Sequence, residues 1–299
     1  MSGAATRDGR GVCLFVVTML LATDARAAVL RAEYRFGGNL LSSTPGASAL
    51  VAVNSLGLSG FNSDVVNGRT QTVYSWNGNG SPATEQAGLT LDTTGLVPTN
   101  SYSVEMVFKL TQRDLQWRRL MDVQNRQSDD GLYVDPGDHL NVYPVTSSSS
   151  AFVNNVYQDL LLAVDAGTVT AYLNGQKYFV GTTTLMNINL NNQGATLGFF
   201  LDNLVGGGQG EYSNGSIALL RLFSGSATPT SALSIFQPNT DTVLVSWPWP
   251  SIGLSLQYST NLAVTNWTAY VGAINDKGPT RSVAINPPTP DRFFRLSGP

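Results

Sequence analysis

Cysteine and histidine are almost absent from this chain: Cys13 and His139 are the single representatives of their types among 299 residues. A histidine-based catalytic triad would have to use His139, and no Cys/His set exists that could hold zinc. Charge is scarce as well. Charged residues make up 12% and the net charge is −3, which gives no basic field for nucleic acid and no polybasic patch for a membrane surface. Beyond the N-terminus no apolar run approaches the ~18 residues that would suggest a membrane span. There is no G-x-S-x-G elbow. The glycine run Gly206-Gly207-Gly208-Gln209-Gly210 leads into Glu211-Tyr212, not into the Lys-Ser or Lys-Thr of a phosphate-binding loop.

What is abundant points to strands and turns. Hydrophobic residues reach 42%, with 30 glycines and 14 prolines, a mixture suited to many short strands rather than to long helices or disorder. The length allows one or two domains with a real core. At the N-terminus Arg7 and Arg10 precede an apolar stretch, Val12–Ala22, and then Ala25-Arg26-Ala27. That order is the one of a secretory signal peptide, with cleavage expected after Ala27. Cys13 lies inside it, so the mature chain would have no disulfide. Export without disulfides suits a bacterial periplasm or cell surface better than a eukaryotic secretory route.

The centre of the chain is residues 157–180, YQDLLLAVDAGTVTAYLNGQKYFV. An apolar run, Leu160–Val164, meets the turn Asp165-Ala166-Gly167. An alternating strand follows, with Val169, Ala171 and Leu173 on one face, and then Asn174-Gly175 and Lys177–Val180. Asn-Gly between alternating segments marks a type I′ hairpin turn, which needs positive φ at both central residues. Residues 101–110, SYSVEMVFKL, alternate most cleanly, with Tyr102, Val104, Met106, Phe108 and Leu110 sharing one face. Strands are also expected at 29–36, 118–123, 131–134, 139–143, 195–201 and 215–223. Residues 41–100 read as short apolar runs (49–53, 88–91) between loop clusters, the stretch 75–88 carrying Trp76 outward. Ser147–Ser150 reads as a loop tip. Small residues, Thr and Pro at 224–231 mark a boundary, beyond which six short strands suggest a second, small sandwich.

The run YSVEMVFKL, then WRRLMDVQNRQSDDGLYVDPGDHLNVYP, LLLAVDAGTVTAYLNGQKYFV, GFFLDN and GEYSNGSIALLRLFSG resembles, in order and spacing, the concanavalin A-like, laminin G-type jelly roll of exported bacterial surface proteins. YRFGGNLLSS is similar to the opening strand of that fold. The tail, from LSIFQPNTDTVLVSW to RFFRL, resembles the fibronectin type III-like modules that close many exported proteins. The resemblance implies two packed sheets and a carbohydrate- or protein-binding role, sometimes assisted by calcium. The chain departs from it at Ala218 and Leu219, where related sequences often carry acidic residues.

Candidate chemistry is sparse. Laminarinase-type hydrolases of this fold need E-x-D-x-x-E, since a retaining mechanism sets two carboxylates about 5 Å apart. Glu105, on an alternating strand, has Val107 two positions on, and the other glutamates of the mature chain lack the pattern too. His139 alternates with Leu140 and Val142 and reads as a structural strand-edge residue. Two acidic groups could supply hard oxygen ligands to calcium. Asp129, Asp130, Asp135 and Asp138 are read as turn formers. Asp202, Asn203 and Glu211, with Asn214, flank the glycine run, where they could hold one calcium or sugar hydroxyls, or form an ordinary solvated loop. Trp76, Trp117 and Tyr212 are the candidate aromatic platforms for a sugar ring; Trp247, Trp249 and Trp267 are assigned to the core or rim of the tail.

The expectation is therefore an all-β chain: signal peptide 1–27, laminin G-like jelly roll 28–225, linker 226–231 and a fibronectin type III-like sandwich 232–299. It would be exported to the medium, the periplasm or the cell surface, and would bind without catalysis. The expected partner is extracellular polysaccharide or a surface protein, met through Asp202, Asn203, Glu211, Tyr212 and Trp76, with calcium the one cofactor considered, held by Asp202, Asn203 and Glu211. A purely structural or adhesive component and a glycoside hydrolase using Glu105 are the alternatives.

Overall fold

The structure, a computed structural model, describes residues 28–299 except 112–114, 206–209, 230–232, 249–250, 252–253, 262–265, 277–279, 287–291 and 298–299. The expected signal peptide with Cys13, the end of the expected linker, most of the glycine run and Trp249 lie outside the described residues. Among those described, no helix is long and apolar enough to cross a membrane.

Residues 29–224 build two antiparallel sheets packed face to face. The larger has eight strands: β1 (Val29–Tyr34), β3 (Gly60–Val66), β4 (Arg69–Trp76), β6 (Ser101–Leu110), β11 (Gln158–Asp165), β12 (Thr168–Leu173), β13 (Gln176–Thr182) and β15 (Gly215–Ser224). Their order is β13-β12-β11-β6-β15-β4-β3, and β1 pairs with the far half of β15. The second sheet has seven strands: β2 (Val51–Asn54), β5 (Ala87–Asp92), β7 (Arg118–Asp122), β8 (Gly131–Val134), β9 (His139–Tyr143), β10 (Thr146–Ala151) and β14 (Thr196–Phe199), ordered β10-β9-β8-β7-β14-β5-β2. Non-sequential neighbours such as β6 beside β15 and β7 beside β14 give the jelly-roll character.

The alternation of β6 explains the packing. Tyr102, Val104, Met106, Phe108 and Leu110 enter the core between the sheets, beside Leu160, Leu162 and Val164 of β11. On the opposite face of the same sheet Val107 joins a second apolar cluster with Val66, Val73, Tyr157, Ala218 and Leu219. The departure at Ala218 and Leu219 is thus a packing feature, buried at 1% and 0% exposure. The expected hairpins form as read: Asn174 and Gly175 have φ of 52° and 81°, and β11, β12 and β13 pair in sequence.

Three expectations change. Residues 60–76 form a full hairpin, β3–β4, turned at Asn67-Gly68 with φ of 50° and 79°. Ser147–Ser150 lies within strand β10 rather than forming a loop tip; β10 pairs with β9 through Thr146, Ser147 and Ala151, with a shift of register between the last two. Trp76 ends β4 and points inward; it is fully buried, stacked on Phe200 at 3.7 Å between ring centres, and its indole N–H donates to the Ser213 carbonyl at 2.8 Å.

The C-terminal part forms two three-stranded antiparallel sheets. β16 (Ser234–Asn239), β17 (Thr242–Pro248) and β20 (Thr280–Ile285) make one, in that order. β19 (Thr268–Ala269), β18 (Ser255–Ser259) and β21 (Phe293–Ser297) make the other. Their own core is Val243, Val245, Trp247, Leu256, Val283 and Ile285. Trp267 lies against Arg295, whose guanidinium carbon sits 4.5 Å from its ring centre.

Candidate functional site

The outer face of the seven-stranded sheet, away from the core, carries the densest chemistry. Strand parity sends Leu132 and Val134 of β8 inward and leaves Tyr133 outward; Leu140 and Val142 of β9 point inward and Tyr143 outward. Trp117, just before β7, meets both tyrosines edge to face, with ring centres 5.7 and 5.4 Å away. Trp117 keeps part of its surface open and Tyr143 is exposed, whereas Tyr133 is covered at 1% exposure and props the other two rings from beneath.

Two loops converge beside this aromatic group. The β7–β8 loop contributes Asp129; the β14–β15 connection contributes Asp202 and Glu211. One carboxylate oxygen from each of the three lies within 4.8 Å of the others. Arg119 and Arg126 position the loops. The Arg119 guanidinium, buried against the Tyr133 ring, pairs with Asp122 at 2.9 Å and donates to the Ser128 carbonyl at 2.9 Å and to that of Asp130. Those contacts hold Asp129 from both sides. The Arg126 Nε donates to the Asp202 carbonyl at 2.5 Å, and its Nη2 reaches the Ala83 carbonyl at 3.0 Å.

Asp202 acts as a clasp. Its Oδ1 accepts from the Asn203 amide nitrogens of backbone and side chain, at 2.7 and 3.3 Å. Its Oδ2 accepts from the backbone N–H groups of Gly210 and Glu211, at 2.9 and 3.1 Å. Four donors fill the lone-pair directions of this carboxylate and close the two ends of the loop on each other. Asn203 carries the link onward, donating to Asp129 Oδ1 at 3.0 Å, and the Tyr133 hydroxyl donates to the Asp129 carbonyl at 2.9 Å. Tyr133 thereby joins the aromatic group to the acidic one. Burial, then the charges of Asp202 and Asp129, push the Glu211 carboxyl up to about 7, while the Tyr133 hydroxyl and the more distant Arg119 pull it partly back.

The donor set fits a hard divalent cation in type and in spread, since calcium takes oxygen ligands at 2.3–2.6 Å. Asp129 and Glu211 retain lone pairs that could be direct ligands. Asp202, its oxygens already engaged, would contribute charge and hold the loop.

The structure therefore redistributes the expected residues. Asp202, Asn203 and Glu211 do meet. Tyr212 is buried at 3% exposure, bonded to Asn214 at 2.8 Å, so like Trp76 it presents no face to a ligand; a ring in an alternating segment faces in or out by parity, and both rings face in. Asn214 is drawn away by that bond and by the Gly78 N–H at 2.9 Å. Asp129 was grouped with turn formers, yet joins Asp202 and Glu211. Asp135 is a turn former, accepting the Gly137 and His139 N–H groups at 2.8 and 2.9 Å, and Asp138 pairs with buried Arg118 at 2.6 Å. His139 bonds Asp135 at 3.1 Å, the structural role expected of it. Tyr133 and Tyr143 escaped notice in the sequence; the signal was their odd parity within strands whose even positions are aliphatic.

Residues 83–232 match a family profile described as the concanavalin A-like lectin/glucanases superfamily. No curated protein matches the chain in sequence. Among solved structures, domain 4 of an extracellular arabinanase from Geobacillus stearothermophilus, in complex with arabinotriose, superposes with a TM-score of 0.50 at 21% identity, covering 68% of this chain and 96% of that one. A botulinum neurotoxin type C structure gives a TM-score of 0.47 at 10% identity, covering 78% and 56%. A Trypanosoma rangeli sialidase gives 0.41 at 11%, covering 63% and 32%.

Proposed function

Since the chain belongs to the concanavalin A-like lectin/glucanases superfamily, we propose that it is a non-catalytic binding protein whose jelly roll recognises a neutral extracellular oligosaccharide on the outer face of the seven-stranded sheet. The observation that carries this reading is the convergence of Asp129, Asp202 and Glu211 beside the Trp117–Tyr133–Tyr143 group. A sugar presents hydroxyls that carboxylates accept from and an apolar ring face that packs on aromatic carbon; the loop pair supplies the first complement and the open surfaces of Trp117 and Tyr143, at the neighbouring strands, the second. When bound, calcium would screen the three carboxylates and could accept sugar hydroxyls as further oxygen ligands.

Binding without catalysis is supported by the state of Glu105, the one strand glutamate weighed as an acid or nucleophile. It is paired with Arg221 at 3.0 Å on the other sheet. The rest of the reading follows the expected organisation: a signal peptide over 1–27, export to the medium, periplasm or cell surface of a bacterium, a jelly roll over 28–225, and a fibronectin type III-like module over 232–299. The two three-stranded sheets of the tail support a sandwich of that kind.

Calorimetric titration with arabinotriose and a panel of other neutral oligosaccharides, in calcium and in EDTA, tests the binding reading. Binding is expected to weaken at least tenfold in Trp117→Ala and in Asp129→Asn, and to respond to EDTA if calcium takes part. Absence of binding to every glycan, or binding indifferent to both substitutions, would overturn it. Release of reducing sugar that disappears in Glu105→Gln would overturn the non-catalytic part.

A further inference from the structure

The opposite side of the jelly roll holds a second feature that oligosaccharide binding leaves unused. Across the outer face of the eight-stranded sheet, cross-strand register sets Tyr172, Leu161, Glu105, Arg221 and Glu33 in one row, on β12, β11, β6, β15 and β1. Asp159 and Phe223 stand two residues along β11 and β15, on the same face. The small C-terminal module roofs this row with Pro248, Ser251 and Leu254, and a chamber of about 240 Å³ is left between floor and roof.

The charges of the chamber do not balance. Arg35 and Arg221 hold Glu33 at 2.7 and 2.8 Å, and Arg221 also holds Glu105 at 3.0 Å. Of the charged groups that line the chamber, Glu33, Glu105 and Asp159 thus face Arg221 alone; Arg35 meets Glu33 from outside the lining, and Lys177, the cross-strand neighbour of Tyr172, is exposed at the far end of the row. The unpaired carboxylate is that of Asp159, whose backbone bonds Asn174 but whose side chain has no hydrogen-bond or ion-pair partner among the described residues. Asp159 is half-buried and lines the chamber. Burial, then the neighbouring Glu105, raise the Asp159 carboxyl well above its ordinary value, while the charge of Arg221 pulls it partly back. Tyr172 and Phe223 add aromatic walls, which attract cations, and Leu161 and Leu254 add apolar ones.

We propose that this chamber binds a small organic monocation, a primary ammonium on an apolar or aromatic body, with the ammonium paired to Asp159 and the body held between the sheet and the C-terminal module. A cation there would give the Asp159 carboxylate the partner it lacks among the described residues, and the chamber has room for a fragment-sized molecule.

Benzylammonium is the probe and benzyl alcohol its neutral counterpart. Thermal unfolding of the full chain at pH 7.5 is followed against rising concentrations of each, at constant ionic strength. Benzylammonium should raise the melting temperature saturably by several degrees, and benzyl alcohol should not. Asp159→Asn, an isosteric change, should abolish the shift; Leu161→Phe, which fills the chamber without altering a charge, should abolish it too and stands alone if the first variant does not fold. Asp129→Asn, on the other sheet, should leave it intact. No shift in the unaltered chain, an equal shift with benzyl alcohol, or a shift that survives in a folded Asp159→Asn or Leu161→Phe variant would overturn the assignment. A loss of oligosaccharide binding alone would leave it standing.

Discussion

Glu211 carries a measurable consequence of its surroundings. Its carboxyl sits at about 7 in the folded chain against an ordinary 4.5. Between those values the folded state holds a proton that the unfolded state has released, so stability falls as pH rises from 4.5 to 7 and the loss is complete above 7. The size is on the order of 2–3 kcal/mol. In EDTA, denaturant unfolding of the unaltered chain should therefore show a deficit at pH 8 relative to pH 5 that Glu211→Gln lacks. Calcium should restore the pH 8 stability of the unaltered chain and do little for the variant. Equal pH profiles for the two would remove the electrostatic account of the loop pair. Trp76 gives the contrasting case. Stacked on Phe200 and fully buried, it should cost about 3–5 kcal/mol as Trp76→Ala. A platform residue would lower affinity and spare stability. The sequence announced Asp202, Asn203 and Glu211 because they are neighbours in the chain. Asp129 sits 73 positions from Asp202, and the contact depends on Arg119 and Arg126 tying two loops to one sheet, which nothing local encodes.

At the level of elements, the hairpin whose strands alternate aliphatic residues was legible and the one flanked mostly by exposed polar residues was not, although both lie at the ends of the same sheet. Asn174-Gly175 and Asn67-Gly68 are the same turn chemistry, both type I′ by their φ angles. The first is flanked by Val169, Ala171 and Leu173, whose alternation reports a core behind them. The second is flanked by Asn62, Ser63, Asp64, Arg69 and Gln71 on the edge pair β3–β4, exposed along much of its length. There the solvent sets the composition and the period-two pattern fades. Backbone demand remains, and it can be measured. Gly68 has φ of 79° with open space around its Cα, so Gly68→Ala tests conformational strain alone and should cost about 1 kcal/mol. Gly215 has no such φ, but a Cβ there would meet the Lys109 carbonyl at 2.4 Å and the Trp76 ring at 2.4 Å. Gly215→Ala should therefore cost more, about 1–3 kcal/mol or above, through displaced backbone. Urea midpoints for the two variants check the order; if Gly68→Ala proves the worse, close packing around Trp76 is not what excludes a side chain at 215.

For the whole molecule the question is how far two unequal cores are bound together. The jelly roll closes its fifteen strands over one large core, whereas among the described residues the C-terminal module buries six hydrophobic ones: Val243, Val245, Trp247, Leu256, Val283 and Ile285. A unit of under about 70 residues with so small a core is marginal by itself. Its roofing of the charged row on the eight-stranded sheet is then part of what keeps it folded. Trp247, 2% exposed, is the largest of the six, and Trp247→Ala should remove about 3–5 kcal/mol, more than such a module can lose. The expected outcome is selective. Proteolysis should trim the chain back to near residue 230, the main calorimetric transition should persist, and the oligosaccharide binding proposed for the seven-stranded sheet should be retained. The benzylammonium shift should vanish with the roof of its chamber. A single transition moved as a block to lower temperature would instead mean that the two cores unfold as one, and the chamber between them would then be a seam inside one cooperative unit.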